Sequence, residues 1–255
     1  MGFKVVIPAR YASTRLPGKP LLEIAGQPMI RHVHRRAVDS GAEEVVIATD
    51  DDRIATVARD FGADVCLTDA AHGSGTERIA EVVSRRGWGP DSIVVNLQGD
   101  EPTMPASLLR QVADDMATHE RAQVTTLAAP IDDRDQLFDP HVVKVVTDRD
   151  GYALYFSRAP IPWHRDEFLV HQSHLPAGVP FWRHIGLYAY RAGFLQRYVA
   201  WPPSPLEQAE SLEQLRVLWH GDPIHVSESE ELPGHGVDTL ADLERVVRQL
   251  AGDGD

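Results

Sequence analysis

The chain has 255 residues, 43% of them hydrophobic, enough for the core of one large α/β domain. Its 38 acidic residues outnumber 25 basic ones, for a formal charge of −13, which argues against nucleic acid as the main partner because phosphate backbones select a basic face. Cys66 is the single cysteine, so no internal disulfide forms and a reducing cytoplasm is expected; the absence of a signal-type or membrane-length apolar run predicts no membrane partner.

Lys4-Val5-Val6-Ile7 is short, apolar and β-branched, and predicts a buried strand that Pro8 ends. A polar loop follows, with Arg10, Ser13, Thr14, Arg15, Gly18 and Lys19. A strand running into small residues and fixed cations, early in an α/β chain, is where a polyphosphate binds. Met29, Ile30, Val33, Ala37 and Val38 then mark a helix between Pro28 and Gly41. Glu44 to Ala48 is a second strand, and the acidic run Asp50 to Asp52 reads as the solvated cap of a helix that Gly62 stops. Ala63 to Leu67 is a third strand. His72 to Arg78 leads into a helix carrying Ile79, Val82 and Val83. Ser92 to Leu97 is a fourth strand, followed at once by Gln98-Gly99-Asp100-Glu101-Pro102 and a helix with Leu108, Leu109, Val112 and Met116. This alternation predicts a parallel sheet covered on both faces.

From about Val124 the pattern changes. Strands are expected at 124–128, 142–147 and 152–156, then an aperiodic Pro-, Trp- and His-rich stretch, then a strand at 181–190. The region from about 130 to 200 reads as a lobe inserted into a single domain, covering the sheet edge and pairing subunits. Leu206, Ala209, Leu212, Leu215 and Leu218 predict one long helix, Ile224 to Ser227 a last strand, and Gly236-Val237-Asp238-Thr239 a loop before a C-terminal helix.

The first loop is not a Walker A loop, since Lys19 is followed by Pro20, and no Gly-x-Gly-x-x-Gly is present. Asp100 lies just past an apolar strand, at the rim where open α/β sheets bind ligands. It reads either as a Mg²⁺ ligand or as a helix cap, and Asp238 has the same two readings. Arg158, His184 and Tyr188 gain weight only as a set. Trp163, Trp182 and Trp201 read as core or interface.

Pro8 to Leu21 (PARYASTRLPGKPL) resembles the signature loop of the 3-deoxy-manno-octulosonate (KDO) cytidylyltransferases, or CMP-KDO synthetases. His72 to Arg78, Gln98 to Pro102, Val143 to Val146, Tyr152 to Arg158, Arg183 to Tyr188, Ser204 to Glu207, Leu212 to Arg216 and Gly236 to Thr239 are similar to that family's motifs too, in order and over nearly the whole chain. The first loop alone also admits sialic-acid cytidylyltransferases. Nothing is carried onto 166–179, the least family-like stretch.

The resemblance implies a Rossmann-like, three-layer nucleotide-diphospho-sugar transferase fold with a mixed, mainly parallel sheet, and a homodimer. It implies the reaction CTP + KDO → CMP-KDO + pyrophosphate with Mg²⁺, in lipopolysaccharide synthesis. By motif match Arg10, Arg15 and Lys19 fall on the triphosphate, Ala9, Ser74, Gly75 and Arg78 near the cytosine, and Asp100 and Asp238 on the metal. Gln98, Arg158, His184, Tyr188, Glu213 and Gln214 fall on the sugar acid. Both reactants are anions, so cations must neutralise charge at the α-phosphate. No side chain stands out as a general base, and metal activation is expected to replace one. A cytidylyltransferase for another α-keto acid sugar, or a non-catalytic nucleotide-binding regulator on the same fold, are the rival readings.

Overall fold

The computed structural model describes residues 2–12, 16–170, 174–234 and 236–252. The first half alternates as expected. Strand β1 (Phe3–Ala9) is followed by a short 3-10 turn at Lys19–Leu21 and a small hairpin, β2 (Glu23–Ile24) and β3 (Gln27–Pro28). Then come α1 (Met29–Asp39), β4 (Glu44–Thr49), α2 (Asp52–Asp60), β5 (Asp64–Leu67), α3 (Gly75–Arg86), β6 (Ile93–Asn96) and α4 (Ala106–Thr118). The second half runs β7 (Val124–Pro130), α5 (Arg134–Phe138), β8 (Lys144–Thr147), β9 (Ala153–Ser157), α6 (Arg165–Val170) and β10 (Trp182–Arg191). It closes with α7 (Ala192–Tyr198), α8 (Pro205–Glu210), α9 (Gln214–Trp219), β11 (Ile224–Glu228) and α10 (Leu240–Gly252).

The main sheet has the order β11-β7-β10-β6-β1-β4-β5, with β8 pairing β10 and β9 off that path. Pairing is parallel except where β10 runs against β6, β7 and β8, and where β8 meets β9. The continuous apolar strands are explained by helices on both faces. Along β1, Phe3, Val5, Ile7 and Ala9 pack into a core with α1, α4 and α10, while Val6 packs on the other side with α3, α7 and α9. Each fully buried valine or isoleucine here contributes about 1.5–3 kcal/mol by leaving water.

Three expectations are corrected. Pro8 does not end β1, which pairs with β4 in register through Ala9. Val6 accepts from Leu97 N on the β6 side. Pro8, two residues on, turns the same way, past the end of that ladder, so its missing N–H costs no sheet bond. The long helix at 206–218 is two short ones. Ser211 takes a left-handed conformation (φ 54°) and breaks it. The apolar spacing persists across the break, which is why the period alone suggested one helix. Finally, β10, which belongs to the segment expected to cover the sheet edge, lies within the sheet, between β7 and β6. The aperiodic stretch contributes α6, whose Phe168 packs with Ile131, Leu137 and Phe181 in a small separate core.

Candidate active site

Strands β4 and β5 follow β1 on one side, while β6 lies on its other side. The crevice past the carboxyl ends of β1 and β6 is therefore the topological switch point, the ligand-binding position of open α/β sheets. The two loops leaving these strands touch. A Cβ on Gly99 would lie 2.8 Å from the Pro8 carbonyl oxygen, so only glycine allows this approach. Gly18 (φ 69°) donates its N–H to the Tyr11 carbonyl at 3.0 Å, and this turn folds the first loop back so that Lys19 points into the crevice.

Lys19 Nζ donates to Asp100 Oδ2 at 2.7 Å and to Asp238 Oδ1 at 3.0 Å. Residues 81 and 219 positions away thus meet at one ammonium group. The backbone reinforces this, because Val237 N donates to the Asp100 carbonyl at 2.9 Å, and Val237 and Val246 are buried in the core beneath. Helix α10 therefore anchors the loop carrying Asp238. Neither aspartate caps a helix. Helix α4 follows Pro105 at its N-cap position with no side-chain cap, and the turn entering α10 is held by Thr239 and Asp242. The cap reading of both residues is set aside.

Burial alone would lower the Lys19 pKa, but Asp100 and Asp238 outweigh it and raise it, so the ammonium is charged. Beside them, burial together with the charges of Asp100 and Asp238 pushes the Glu101 carboxyl up to about 8. Arg10, Ala9, Gln98 and Gly99 line the same polar pocket as Lys19, Asp100 and Asp238. Ser74 caps α3 by accepting from Glu77 N at 3.2 Å, and Gly75 packs 3.4 Å (as a Cβ position) from Pro8. Pro8, Ala9, Ser74, Gly75, Arg78 and Gln98 enclose a small recess of about 70 Å³. The Arg78 guanidinium is buried, bonded to Thr68 and paired with Asp50 at 3.3 Å. Arg15 lies outside the described residues.

A second cavity of about 560 Å³ adjoins this pocket, sharing Arg10, Gln98 and Asp238 with it. Arg158, Tyr188, Glu213 and Gln214 line it. The break at Ser211 is what turns Glu213 and Gln214 inward while Leu212 and Leu215 stay in the core. Arg158 is held from behind, its Nε donating to the Glu210 carbonyl at 2.7 Å and its Nη1 to the Pro140 carbonyl at 3.0 Å. Burial raises the Glu213 carboxyl pKa, against a hydrogen bond from Thr76 Oγ1 at 3.1 Å. His184 does not line the cavity. Its ring stands behind Tyr188 at 5.3 Å, with Nε2 3.0 Å from Thr126 Oγ1, and burial lowers its pKa to about 3. Sequence reasoning missed Asn96, which lines the cavity and whose buried Oδ1 has no hydrogen-bond partner among the described residues, and Tyr190 beside it. Asn96 ends an apolar strand, where only the sheet's register reveals which face it serves, whereas Tyr190, two residues beyond Tyr188 on the same strand, was within reach of the period-2 alternation.

A parallel-rich sheet with a lysine held by two carboxylates at its switch-point crevice, beside a polar cavity, makes this an α/β protein of the class that binds its ligand past the carboxyl ends of the strands. Residues 4–229 match the sequence profile of a family described as Cytidylyltransferase. A 3-deoxy-manno-octulosonate cytidylyltransferase of Pasteurella multocida (strain Pm70) is 57% identical over 250 residues, covering 96% of each chain. Its namesake from Idiomarina loihiensis is 56% identical and covers 100% of both chains. A solved structure described as CMP:2-keto-3-deoxy-manno-octonic acid synthetase complexed with CTP superposes with a TM-score of 0.90 at 41% identity, covering 99% of this chain and 100% of that one. A nucleotidyl transferase from Methanothermobacter thermautotroptrophicus shares the fold alone, with a TM-score of 0.62 at 14% identity. The chain belongs to the cytidylyltransferase family, and within it to the 3-deoxy-manno-octulosonate cytidylyltransferases.

Proposed function

We propose that this protein activates KDO in the cytoplasm by transferring CMP from CTP, releasing pyrophosphate and supplying CMP-KDO for lipopolysaccharide synthesis. The observation that carries the reading is the meeting of Lys19, Asp100 and Asp238 at one rim beside a cavity of sugar size. The anomeric hydroxyl oxygen bonds to the α-phosphorus and gives up its proton to solvent, while the bond from that phosphorus to the bridging oxygen breaks and its electron pair leaves on pyrophosphate. Arg10 and Lys19 hold the triphosphate, and Lys19 meets charge developing on the leaving oxygens. Ala9, Ser74, Gly75 and Arg78 form the wall for cytosine.

The sugar acid occupies the larger cavity, its carboxylate toward Arg158, with Gln98, Tyr188, Glu213 and Gln214 around its hydroxyls. Burial keeps Glu213 a weaker acid than an exposed glutamate, which suits hydrogen bonding more than repulsion of an anionic sugar. His184 positions the Tyr188 ring and is too weakly basic to serve as the proton acceptor.

Asp100 and Asp238 fit Mg²⁺. They are hard oxygen donors, both half-open to the pocket, and already arranged about a single cation, the Lys19 ammonium. Asp100 and Asp238 would hold the ion, which when bound would supply positive charge at the reacting phosphate. The test is pyrophosphate release from CTP with KDO, set against N-acetylneuraminate with CTP and UTP with KDO. Turnover confined to CTP with KDO is expected. Equal turnover with N-acetylneuraminate would overturn the sugar assignment.

A further inference from the structure

Helix α4 begins just after the Asp100 loop and runs 13 residues away from it, so its far end lies about 20 Å from the proposed metal site. At that end three side chains converge that the transfer reaction does not use. Asp115 stands in the last turn of α4 and His119, one turn on, caps its end, while His225 reaches them from β11. His225 Nδ1 lies 2.8 Å from Asp115 Oδ2, and His119 Nδ1 lies 3.0 Å from Asp115 Oδ1. The two imidazoles stack with centroids 3.6 Å apart and planes 18° off parallel. One ligand atom from each residue falls within 4.8 Å of the others.

The surroundings are built for these rings. Tyr152 turns its edge to both, at 5.2 Å from His225 and 6.4 Å from His119. Arg121 covers the Tyr152 ring at 4.5 Å. A Cβ on Gly151 would sit 2.7 Å from His225 Nε2, so the absent side chain leaves room for the imidazole. Asp115 and His225 are buried, whereas His119 is half-exposed and gives a path from solvent.

We propose that Asp115, His119 and His225 form a second metal site, for a borderline transition-metal dication of the Zn²⁺, Co²⁺ or Ni²⁺ class. His225 Nδ1 is hydrogen-bonded to one carboxylate oxygen of Asp115, and His119 Nδ1 lies within 3.0 Å of the other. Tetrahedral bonds of 2.0–2.1 Å place neighbouring ligand atoms about 3.3 Å apart, so the 2.8 and 3.0 Å separations would have to widen only slightly to admit an ion. Without an ion His119 Nδ1 also has the Asp115 carbonyl at 3.0 Å as an alternative partner. Binding asks His119, at the half-exposed helix end, to turn its Nδ1 inward and the stacked rings to part. A pair of imidazoles with one carboxylate selects these ions over Mg²⁺, which prefers all-oxygen shells. The ion would tie α4 to β11 and so fasten the sheet edge.

The test uses the full-length protein stripped by a chelator and kept in saturating Mg²⁺. Titration with Zn²⁺ by calorimetry is expected to show one ion per chain, with a rise in Tm. Co²⁺ is expected to give a visible absorption band. His119→Ala should weaken Zn²⁺ binding at least about 10-fold and remove the band, while CTP turnover in Mg²⁺ stays within about 2-fold. His225→Gln should do the same to the metal, and near-wild-type binding by Asp100→Asn should show that the ion is not at the rim. Zn²⁺ binding unchanged in His119→Ala, binding lost only in Asp100→Asn, or no binding at all would each overturn the proposal.

Discussion

Lys19 is buried between two carboxylates that are themselves half-exposed. Removing one acid therefore changes both the proposed metal shell and the partner of the ammonium. Asp100→Asn is expected to lower kcat by at least about 100-fold at saturating Mg²⁺, since interactions at developing charge are worth that much. Continuous pyrophosphate release measures it, and unchanged turnover would remove Asp100 from the metal role. Arg158 reaches the cavity while anchored on two backbone carbonyls. Arg158→Ala should raise KM for the sugar acid about 10-fold, or about 1.4 kcal/mol, more than it raises KM for CTP. An equal rise for both would show the residue is misplaced.

His184 tests the protonation argument by a route independent of activity. Its folded pKa of about 3 lies below the ordinary 6.5, so between these values the unfolded chain binds the extra proton. Stability should then fall as pH drops through that window and be fully present above it. His184→Gln should flatten the decline of the urea midpoint between pH 6.5 and 4. A slope identical to that of the parent protein would contradict the burial argument.

At the scale of elements, the crevice depends on two loops meeting. Gly99 follows β6 and faces the end of β1 with backbone, not a flexible side chain, 2.8 Å from where a Cβ would stand. Gly99→Ala must push the Pro8 carbonyl aside. A stability loss of about 1–3 kcal/mol is expected, typical of overpacking, together with a higher KM for CTP. Chemical denaturation and steady-state kinetics read both, and an unperturbed KM would mean that the loops move independently. The break between α8 and α9 works in the opposite sense. Glu210 accepts from Ser157 Oγ at 2.6 Å and Arg158 N at 2.9 Å, so the end of α8 docks on the end of β9. The capping box of Ser204 and Glu207, with Glu207 paired to Arg216, fixes α8 against α9.

For the whole molecule, a charge of −13 must admit two anionic reactants. The few cations matter through their placement, because a cleft lined by one sign of charge focuses the field locally. The homodimer that the family resemblance implies, which we propose here, also belongs to this scale. Leu154, Trp163 and Leu169, all within the 130–200 segment, are 63%, 51% and 71% exposed in the single chain. Light scattering is expected to give twice the 28.3 kDa of one chain, and Leu154→Arg to shift that mass toward one chain. A single-chain mass for the parent protein would exclude the pairing.

The order of strands and helices up to α4 was legible in the residues, because buried parallel strands are short apolar runs and their helices carry an apolar stripe. The loops that would hold phosphate and metal were legible too, since Lys19, Asp100 and Asp238 each stand where apolar periodicity stops. What residue order could not express was proximity across 219 positions, the insertion of β10 antiparallel between β6 and β7, or the left-handed Ser211 that turns Glu213 and Gln214 into the cavity. Periodicity records which face of an element is buried, but not which element it is buried against. That choice is made by packing, and packing also brought Asp115, His119 and His225 together from a helix and a strand whose sequences hint at no common purpose.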